Sequence, residues 1–457
     1  MDREVSSTPE SKKIERKTFL KGAAATAAAV AGSGALAGIA KAHQVEVISS
    51  APSGEATIWV QTNLFTDGQV AAFNKRYPDV TIKQVKTPYV PGNPSYSSHL
   101  VTGVDVPDAV FFIEDAYIGQ YAPVLYDVGK FVAPYANKIA PYKLAVSKQQ
   151  GKTVAIPWDV DPVWLIYNMD IFGKAGVDVS KIVTHDDLVA AAQQIKAKVP
   201  TCKTPIMFGA DSAHVQMQVE AMVWQQHSGI VDAKGNLNIM SQEYTNAFQY
   251  LEKAAKAGVM APPYLFATPS LYNAWIKGQV AMVIFADWWS HWNASGLKPL
   301  IGKIGLAKQP VFTPGKDSPY SMMGGSAYVV PLKAKNPEAG AVFGTFQLFE
   351  PAALKLGDAS AVYSAVLPAA EALWPDVQLD AFRHKELLNS TIPEHDMLVT
   401  AALNAPATYR YPPWYSQAFP YYSPHVLNLV RGKISAVQAQ KQIYDDVLNK
   451  VVKRYHA

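Results

Sequence analysis

The stretch Pro157-Trp158-Asp159-Val160-Asp161-Pro162 sets two carboxylates and a large flat ring between two prolines. On extended backbone, residues two apart share one face, so Asp159 and Asp161 are placed to work together. Paired carboxylates suit three kinds of chemistry: ligation of a hard cation, acid–base cleavage of a glycosidic bond, or hydrogen bonding to a ligand rich in hydroxyls. A Ca²⁺ or Mg²⁺ site needs about six oxygens. No further acid lies close by in the sequence, so metal ligation is not expected. Trp158 and Asp159 are expected to line a cleft. Asp161, next to Pro162, reads as a structural carboxylate that caps the following turn.

Aromatic residues recur where strands or helices should end: Trp158, Trp164, Trp224, Trp288, Trp289, Trp292, Trp414 and Tyr415. A sugar offers an apolar C–H face to such planes and a rim of hydroxyls to Asp, Glu, Asn or Gln, each contact contributing on the order of 1–3 kcal/mol. Trp164, inside an apolar run, and Trp292 read as core. Other chemistry is missing. Gly151-Lys152-Thr153 resembles the end of a phosphate-binding loop. However, Val146 stands where its first glycine belongs, and a strand follows where a helix is required. The mature chain has no Gly-x-Gly-x-x-Gly, Gly-x-Ser-x-Gly or His-Glu-x-x-His. Ten scattered histidines and the single Cys202 form no metal cluster and allow no internal disulfide. No cofactor is expected.

The elements that must position these residues follow an α/β rhythm. Glu55–Val60, Val80–Lys86 and Pro107–Ile113 read as strands, with helices over Asp67–Tyr77 and Tyr117–Tyr121. Ligands of such sheets bind beyond the carboxyl ends of the strands, which selects Gln61 to Asn63 and Glu114–Asp115. Thr87–Ser98, rich in Pro, Gly, Ser and Tyr, reads as a surface loop. Thr153–Ile156 and Val163–Tyr167 are strands. Proline cannot donate to a sheet ladder, so Pro157 and Pro162 predict that the chain leaves one sheet there and enters another. Farther on, Thr184 and Asp187 form a capping box before the apolar face Leu188, Ala192, Ile195 and Val199. Pro205–Gly209 reads as a buried strand, His214–His227 as a helix, and Trp275–Phe285 as a helix leading into a strand that delivers Asp287 and Trp288. Ala327–Val330 is a strand, Asn336 an N-cap, and Ser435 the cap of the last helix.

With 457 residues the chain should hold two or three domains. Its formal charge of +4 belongs to the N-terminus. Residues 1–42 hold seven bases and four acids, leaving 34 bases against 33 acids, so nucleic-acid binding is not expected. Glu15-Arg-Lys-Thr-Phe-Leu-Lys21, the Ala/Gly run Gly22–Ala40 and the small residues around Ala40-Lys41-Ala42 resemble a twin-arginine export signal, with Glu15 and Lys17 as departures. No cysteine follows the apolar run, so lipid attachment is not expected. Residues 1–42 are assigned to an export signal peptide and 43–54 to a flexible lead. A periplasmic or extracellular location is expected.

From about residue 55 to 455 the ordered features resemble the family 1 extracellular solute-binding proteins of ABC importers, the maltose-binding-protein-like group. They are Phe73-Asn-Lys-Arg-Tyr-Pro-Asp-Val80, Pro107-Asp108, Gly151–Pro157, Leu165-Ile-Tyr-Asn168, the element Lys277-Gly278-x-x-Ala281-Met282 leading to Trp288, Gly324-Gly325, Asn336–Phe349 and Leu367-Pro368-Ala369. The resemblance implies a two-lobed type II periplasmic-binding-protein fold of α/β class. Each lobe would be an open, mostly parallel sheet flanked by helices and joined to the other by crossing hinge strands, near 157–162 and at about 310 and 350. Lobe 1 would hold 55–158 plus about 310–350, and lobe 2 would hold 159–309 plus 351–457. Ligand contacts are implied at Asn63, Asp115, Trp158, Asp159, Trp224, Trp288, Gly325 and Trp414 or Tyr415. Asp287 stands where the family usually has Gly and adds a carboxylate. The implied function is capture of a sugar by a monomer that closes on it and delivers it to the transmembrane subunits of an ABC permease, without catalysis. Two alternatives remain: a secreted glycoside hydrolase using Asp115 and Asp159, and a receptor for a polyamine, phosphate ester or peptide.

Overall fold

The structure, a computed structural model, describes residues 52–60, 65–88, 94–354, 356, 367–368, 394–407 and 409–455. The export signal and Asn63 lie outside the described residues. Twelve strands are described. They are β1 Gly54–Val60, β2 Val80–Lys86, β3 Ala109–Glu114, β4 Lys148–Gln149, β5 Lys152–Thr153, β6 Ile156–Pro157, β7 Asp159–Val160, β8 Val163–Asn168, β9 Met282–Ala286, β10 Ile304–Lys308, β11 Ser326–Val329 and β12 Leu367–Pro368.

Two sheets organise the chain. The larger has the order β2-β1-β3-β11-β6 and the smaller the order β10-β8-β9. β1 buries Ala56, Ile58 and Val60 on one face, the alternation of a half-covered strand. β3 (Ala-Val-Phe-Phe-Ile-Glu) is covered on both faces, which is why it lies at the centre and reads as an unbroken apolar run. The α/β class matches expectation, but the sheets are mixed rather than mostly parallel. β1 runs parallel to β2 and β3, whereas β11 is antiparallel to β3 and β6, and β8 is antiparallel to β9 and β10. In the larger sheet β1, β2 and β3 follow one another through helices Asp67–Arg76 and Pro94–Thr102 and run parallel. β11 and β10 reach their sheets by long returns, which impose no parallel sense.

The sheet switch falls where the prolines predict it. β6 is the edge strand of the larger sheet, and Pro157 sits at its end, where no ladder donor is needed. β7 pairs with β12, Pro162 bridges to Met322, and β8 enters the smaller sheet. Two apolar clusters result. One gathers Ile58, Phe73, Phe111, Trp158, Tyr328 and Phe343. The other gathers Trp164, Leu188, Val215, Trp224, Phe285 and Tyr422 and extends to Ile113 and Tyr142. Trp288 packs against both.

The helices begin where their caps lie. Thr184 and Asp187 form the expected capping box for His185–Lys198, and Ser435 with Gln438 does the same for Ala436–Val447. Three local expectations are corrected. From Pro94 the expected surface loop is helical (Pro94–Thr102) and buries Tyr96 and Leu100. The expected strand at 205–209 makes only isolated bridges, from Ile206 to Met260 and Met282 and from Gly209 to Tyr264. Trp292 is 41% exposed, not core, because its helix Trp288–Asn293 spends its buried face on Trp289.

Candidate functional site

Four charged side chains meet at the crossing, each no more than 4% exposed: Asp115, Lys143, Asp159 and Asp161. Asp115 opens the helix Asp115–Tyr121 at the carboxyl end of β3, the position the strand-end rule selects. Its backbone N–H donates to Gly325 O at 2.8 Å. Just upstream, β3 carries a bulge. Ile113 pairs with Ala327 and Phe111 with Tyr328, so Phe112 is the extra residue, with φ +79°. The bulge turns the Phe112 ring toward Trp158, centroids 5.4 Å apart. Lys143 comes from the short helix Pro141–Val146. Its Nζ lies 2.5 Å from Asp115 Oδ2 and 3.4 Å from Asp159 Oδ1.

Gly324 and Gly325 close the arrangement, with φ +100° and +97°. A Cβ at Gly325 would stand 2.6 Å from both Asp115 Oδ2 and Lys143 Nζ, so only glycine fits between them. Gly325 N donates to Asp161 Oδ2 at 2.6 Å, and Ser326 N donates to Asp159 Oδ1. The two alternate carboxylates thus share one face, as their spacing predicts, and that face grips consecutive backbone amides before β11. The structural role expected of Asp161 is visible in this tether. Asp159, expected to be the ligand-facing one, is engaged by both Ser326 and Lys143.

Three carboxylates against one ammonium leave the buried cluster short of positive charge. Burial raises the Asp115 carboxyl above the usual range although Lys143 opposes it. Burial pushes Asp159 up to about 6, with Lys143 opposing and Asp115 adding. Asp161 is raised well above the carboxylate range, first by burial and then by the charge of Asp159. Burial works against the Lys143 ammonium, but Asp115 and Asp159 outweigh it and hold it above the ordinary lysine value. Among the described residues no group of three metal-capable side chains is arranged to hold an ion.

Aromatic residues flank the cluster. Trp288, half-buried, follows β9, and its Nε1 donates to Met323 O at 3.2 Å. Its ring packs against Phe285, Phe266 and His214 at 5.0–5.5 Å. Asp287 N donates to Pro162 O at 3.0 Å, so Asp287 stands beside the crossing, and its carboxylate accepts from Trp288 N. On another side, Trp224 stacks on Tyr409 (4.3 Å, 10°), followed by Tyr411, Tyr415 and Phe419 in edge contacts. Tyr411 Oη donates to Gly324 O at 3.4 Å. Behind this row the buried Glu220 accepts from Tyr244 and, at 3.0 Å, from Tyr409, and burial pushes it up to about 8 against those two bonds.

The fold therefore brings together Asp115, Asp159, Gly325, Trp288 and Asp287, with Trp224 and Tyr415 one ring layer away. Trp158 N donates to Ser326 O at 3.2 Å beside the cluster, and its ring lies in the first apolar cluster against Phe111 and Phe112. Trp414 is buried beside Tyr415. Sequence reasoning missed Lys143, Glu220, Tyr409 and Tyr411. Lys143 carries no motif, and its one signal is a lone charge in the largely apolar segment 139–146. An open depression of about 360 Å³ along Pro420–Arg431 shares no lining residue with the cluster.

Two sheets, each with its own flanking helices, meeting at a buried polar cluster define a two-lobed binding protein of the type II periplasmic class. The chain belongs to the bacterial extracellular solute-binding protein family, whose model matches residues 60–353. It is similar to the arabinooligosaccharide-binding protein of Bacillus subtilis (strain 168), 28% identical over 314 residues that cover 65% of this chain and 70% of that one. An arabinooligosaccharide-binding protein of Halalkalibacterium halodurans is 25% identical over 288 residues, 60% of this chain and 62% of its own length. The fold is shared with maltose-bound MalE3 of T. maritima (TM-score 0.67, 18% identity, 86% of this chain and 99% of that one). It is shared too with the galacto-N-biose/lacto-N-biose I-binding protein of Bifidobacterium longum (TM-score 0.69, 19% identity, 88% and 98%). Among the described residues no helix is long and apolar enough to cross a membrane.

Proposed function

We propose that this protein captures a sugar, mono- or oligosaccharide, between its two lobes and delivers it to the transmembrane subunits of an ABC importer. The carrying observation is the convergence at one crossing of Asp115 and Gly325 from the larger sheet and Trp288 from the end of a strand in the smaller. Membership of the solute-binding family and the arabinooligosaccharide-binding relatives support the sugar reading. Lobe 1 would comprise 55–158 plus about 310–350, and lobe 2 159–309 plus 351–457. With the candidate residues so buried, a solute can enter only when the lobes part, and the closed state is favoured because it alone makes both sets of contacts. The protein would act as an exported monomer, free of lipid and of nucleic-acid partners.

The non-catalytic reading draws on relatives that are binding proteins and on the contacts of the two candidate acids. Asp115 and Asp159 share one lysine, and an acid–base pair needs one carboxyl protonated and the other free to attack or to activate water. A second reading, a cationic solute such as a polyamine, draws on the excess of acids over bases in the cluster. Calorimetric titration of the purified mature protein with arabinotriose, maltose and putrescine tests the choice. Saturable heat with a sugar and none with the amine is the expected result. Amine binding alone, or cleavage products after incubation with oligosaccharides, would overturn it.

A further inference from the structure

We infer that Asp161 is the hydrogen-bond donor of the solute site: it holds a proton in the resting protein and offers an O–H to a ligand oxygen, so that solute capture fails in alkaline solution. This rests on the reading of the cluster as the solute site. Lys143 reaches Asp115 and Asp159 but makes no ion pair with Asp161. Among the described residues the Asp161 side chain has one hydrogen-bond partner, Gly325 N on Oδ2, while Met323 N donates to its backbone carbonyl. Oδ1 is buried and makes no hydrogen bond among the described residues. Among the described residues the charged and titratable groups around it are Asp159, Asp115 and Lys143, the hydroxyls of Tyr142 and Tyr411, and Asp287 beside Pro162. Burial keeps both tyrosines un-ionised, so they add no charge. One ammonium already pairs with two carboxylates and acts on Asp161 only from beyond ion-pair distance, so a third ionised carboxylate would be buried with too little positive charge to offset it.

A proton on Asp161 removes that conflict. Because Oδ2 accepts from Gly325, the proton belongs on Oδ1, the atom without a partner among the described residues. Asp115 Oδ1 is also buried and makes no hydrogen bond among the described residues, and Asp115 keeps Lys143 as its counter-ion. Both carboxyls meet Gly325 through their Oδ2 atoms, which leaves the two Oδ1 atoms as one donor and one acceptor at the same crossing. A hydroxyl, which both gives and takes a hydrogen bond, matches that pair. An ammonium, which only donates, does not.

Infrared difference spectra of the ligand-free mature protein at neutral pH should show a protonated-carboxyl band that is lost in D161N. The E220Q variant accounts separately for the Glu220 band. Arabinotriose affinity in the wild type should fall about tenfold per pH unit once Asp161 ionises. In D161N, whose amide still donates and never ionises, it should stay within a few-fold from about pH 6 to about pH 9.5. If D161N does not fold, wild-type titration at the alkaline end in buffers of differing ionisation heat should show proton uptake on binding. The proposal is overturned if D161N removes no protonated-carboxyl band, if its affinity falls with pH as the wild type does, or if binding at the alkaline end takes up no proton. A band that vanishes in D161N, with no sugar bound at any pH, would uphold the proton and refute the sugar reading instead.

Discussion

Replacing Lys143 by methionine keeps most of the side-chain volume and deletes its charge, which isolates the electrostatic role of this lysine. The wild-type ammonium lies 2.5 Å from Asp115 and 3.4 Å from Asp159 and is 1% exposed. Removing one partner of such a buried pair costs about 3–5 kcal/mol. The cost should depend on pH in a definite direction. Asp159 titrates at about 6 in the fold against an ordinary 3.8. Between those values the folded chain holds a proton that the unfolded chain has released, so this group lowers stability as pH rises through the window. Lys143 acts to lower both Asp115 and Asp159, so its loss carries both further up and extends the window past neutrality. K143M should therefore be about 3–5 kcal/mol less stable than wild type near pH 7.5 and recover about half of that near pH 5, where the orphaned carboxyls take protons. Urea midpoints followed by circular dichroism across that range measure it. A K143M variant within about 0.5 kcal/mol of wild type at neutral pH, or a deficit that does not change with pH, would refute the role given to Lys143.

Gly325→Ala should lower the melting temperature and weaken solute binding together. Its φ of +97° costs about 1–3 kcal/mol for a residue with a Cβ, and the new methyl would force Asp115 and Lys143 apart. Calorimetry and thermal melts of G325A check both. Glu220→Gln should keep the fold and flatten its alkaline loss of stability. Glu220 moves from 4.5 to about 8, so wild-type stability falls as pH rises through that window, by about 5 kcal/mol at most, and the amide has no proton to lose. Melts of both proteins between about pH 5 and pH 9 compare them. Trp158→Ala, which removes a buried core ring, should cost about 3–5 kcal/mol of stability, whereas Trp288→Ala, at a half-buried ring, should cost less stability and more affinity. The ratio of the two effects, from urea melts and arabinotriose titrations, tells packing from contact.

Several features were legible because they are local. The alternation in Glu55–Val60, the unbroken apolar run at Ala109–Ile113, the capping boxes at Thr184 and Ser435 and the Pro157–Pro162 break each depend on a few neighbouring residues. The ordered landmarks from Phe73 to Ala369 were enough to reach the family. Burial was harder to read. Trp292 looked like core and is exposed, because helix rotation is set by what packs beneath it, here Trp289. The 205–209 run lacks a partner at full register and stays a set of bridges.

By itself, then, the sequence determined the α/β class, the sheet switch, the family and the identity of the crossing carboxylates, since periodicity, proline chemistry and local spacing are properties of short segments. The tertiary structure alone decided the electrostatics of the site. Lys143 is 16 residues from Asp159 and 28 from Asp115, and Gly325 is 164 residues from Asp161. Nothing in the spacing of those positions brings them together. Only the packing of the short helix Pro141–Val146 and of β11 against the crossing makes one ammonium pair with two carboxylates and leaves the third beyond ion-pair distance of it.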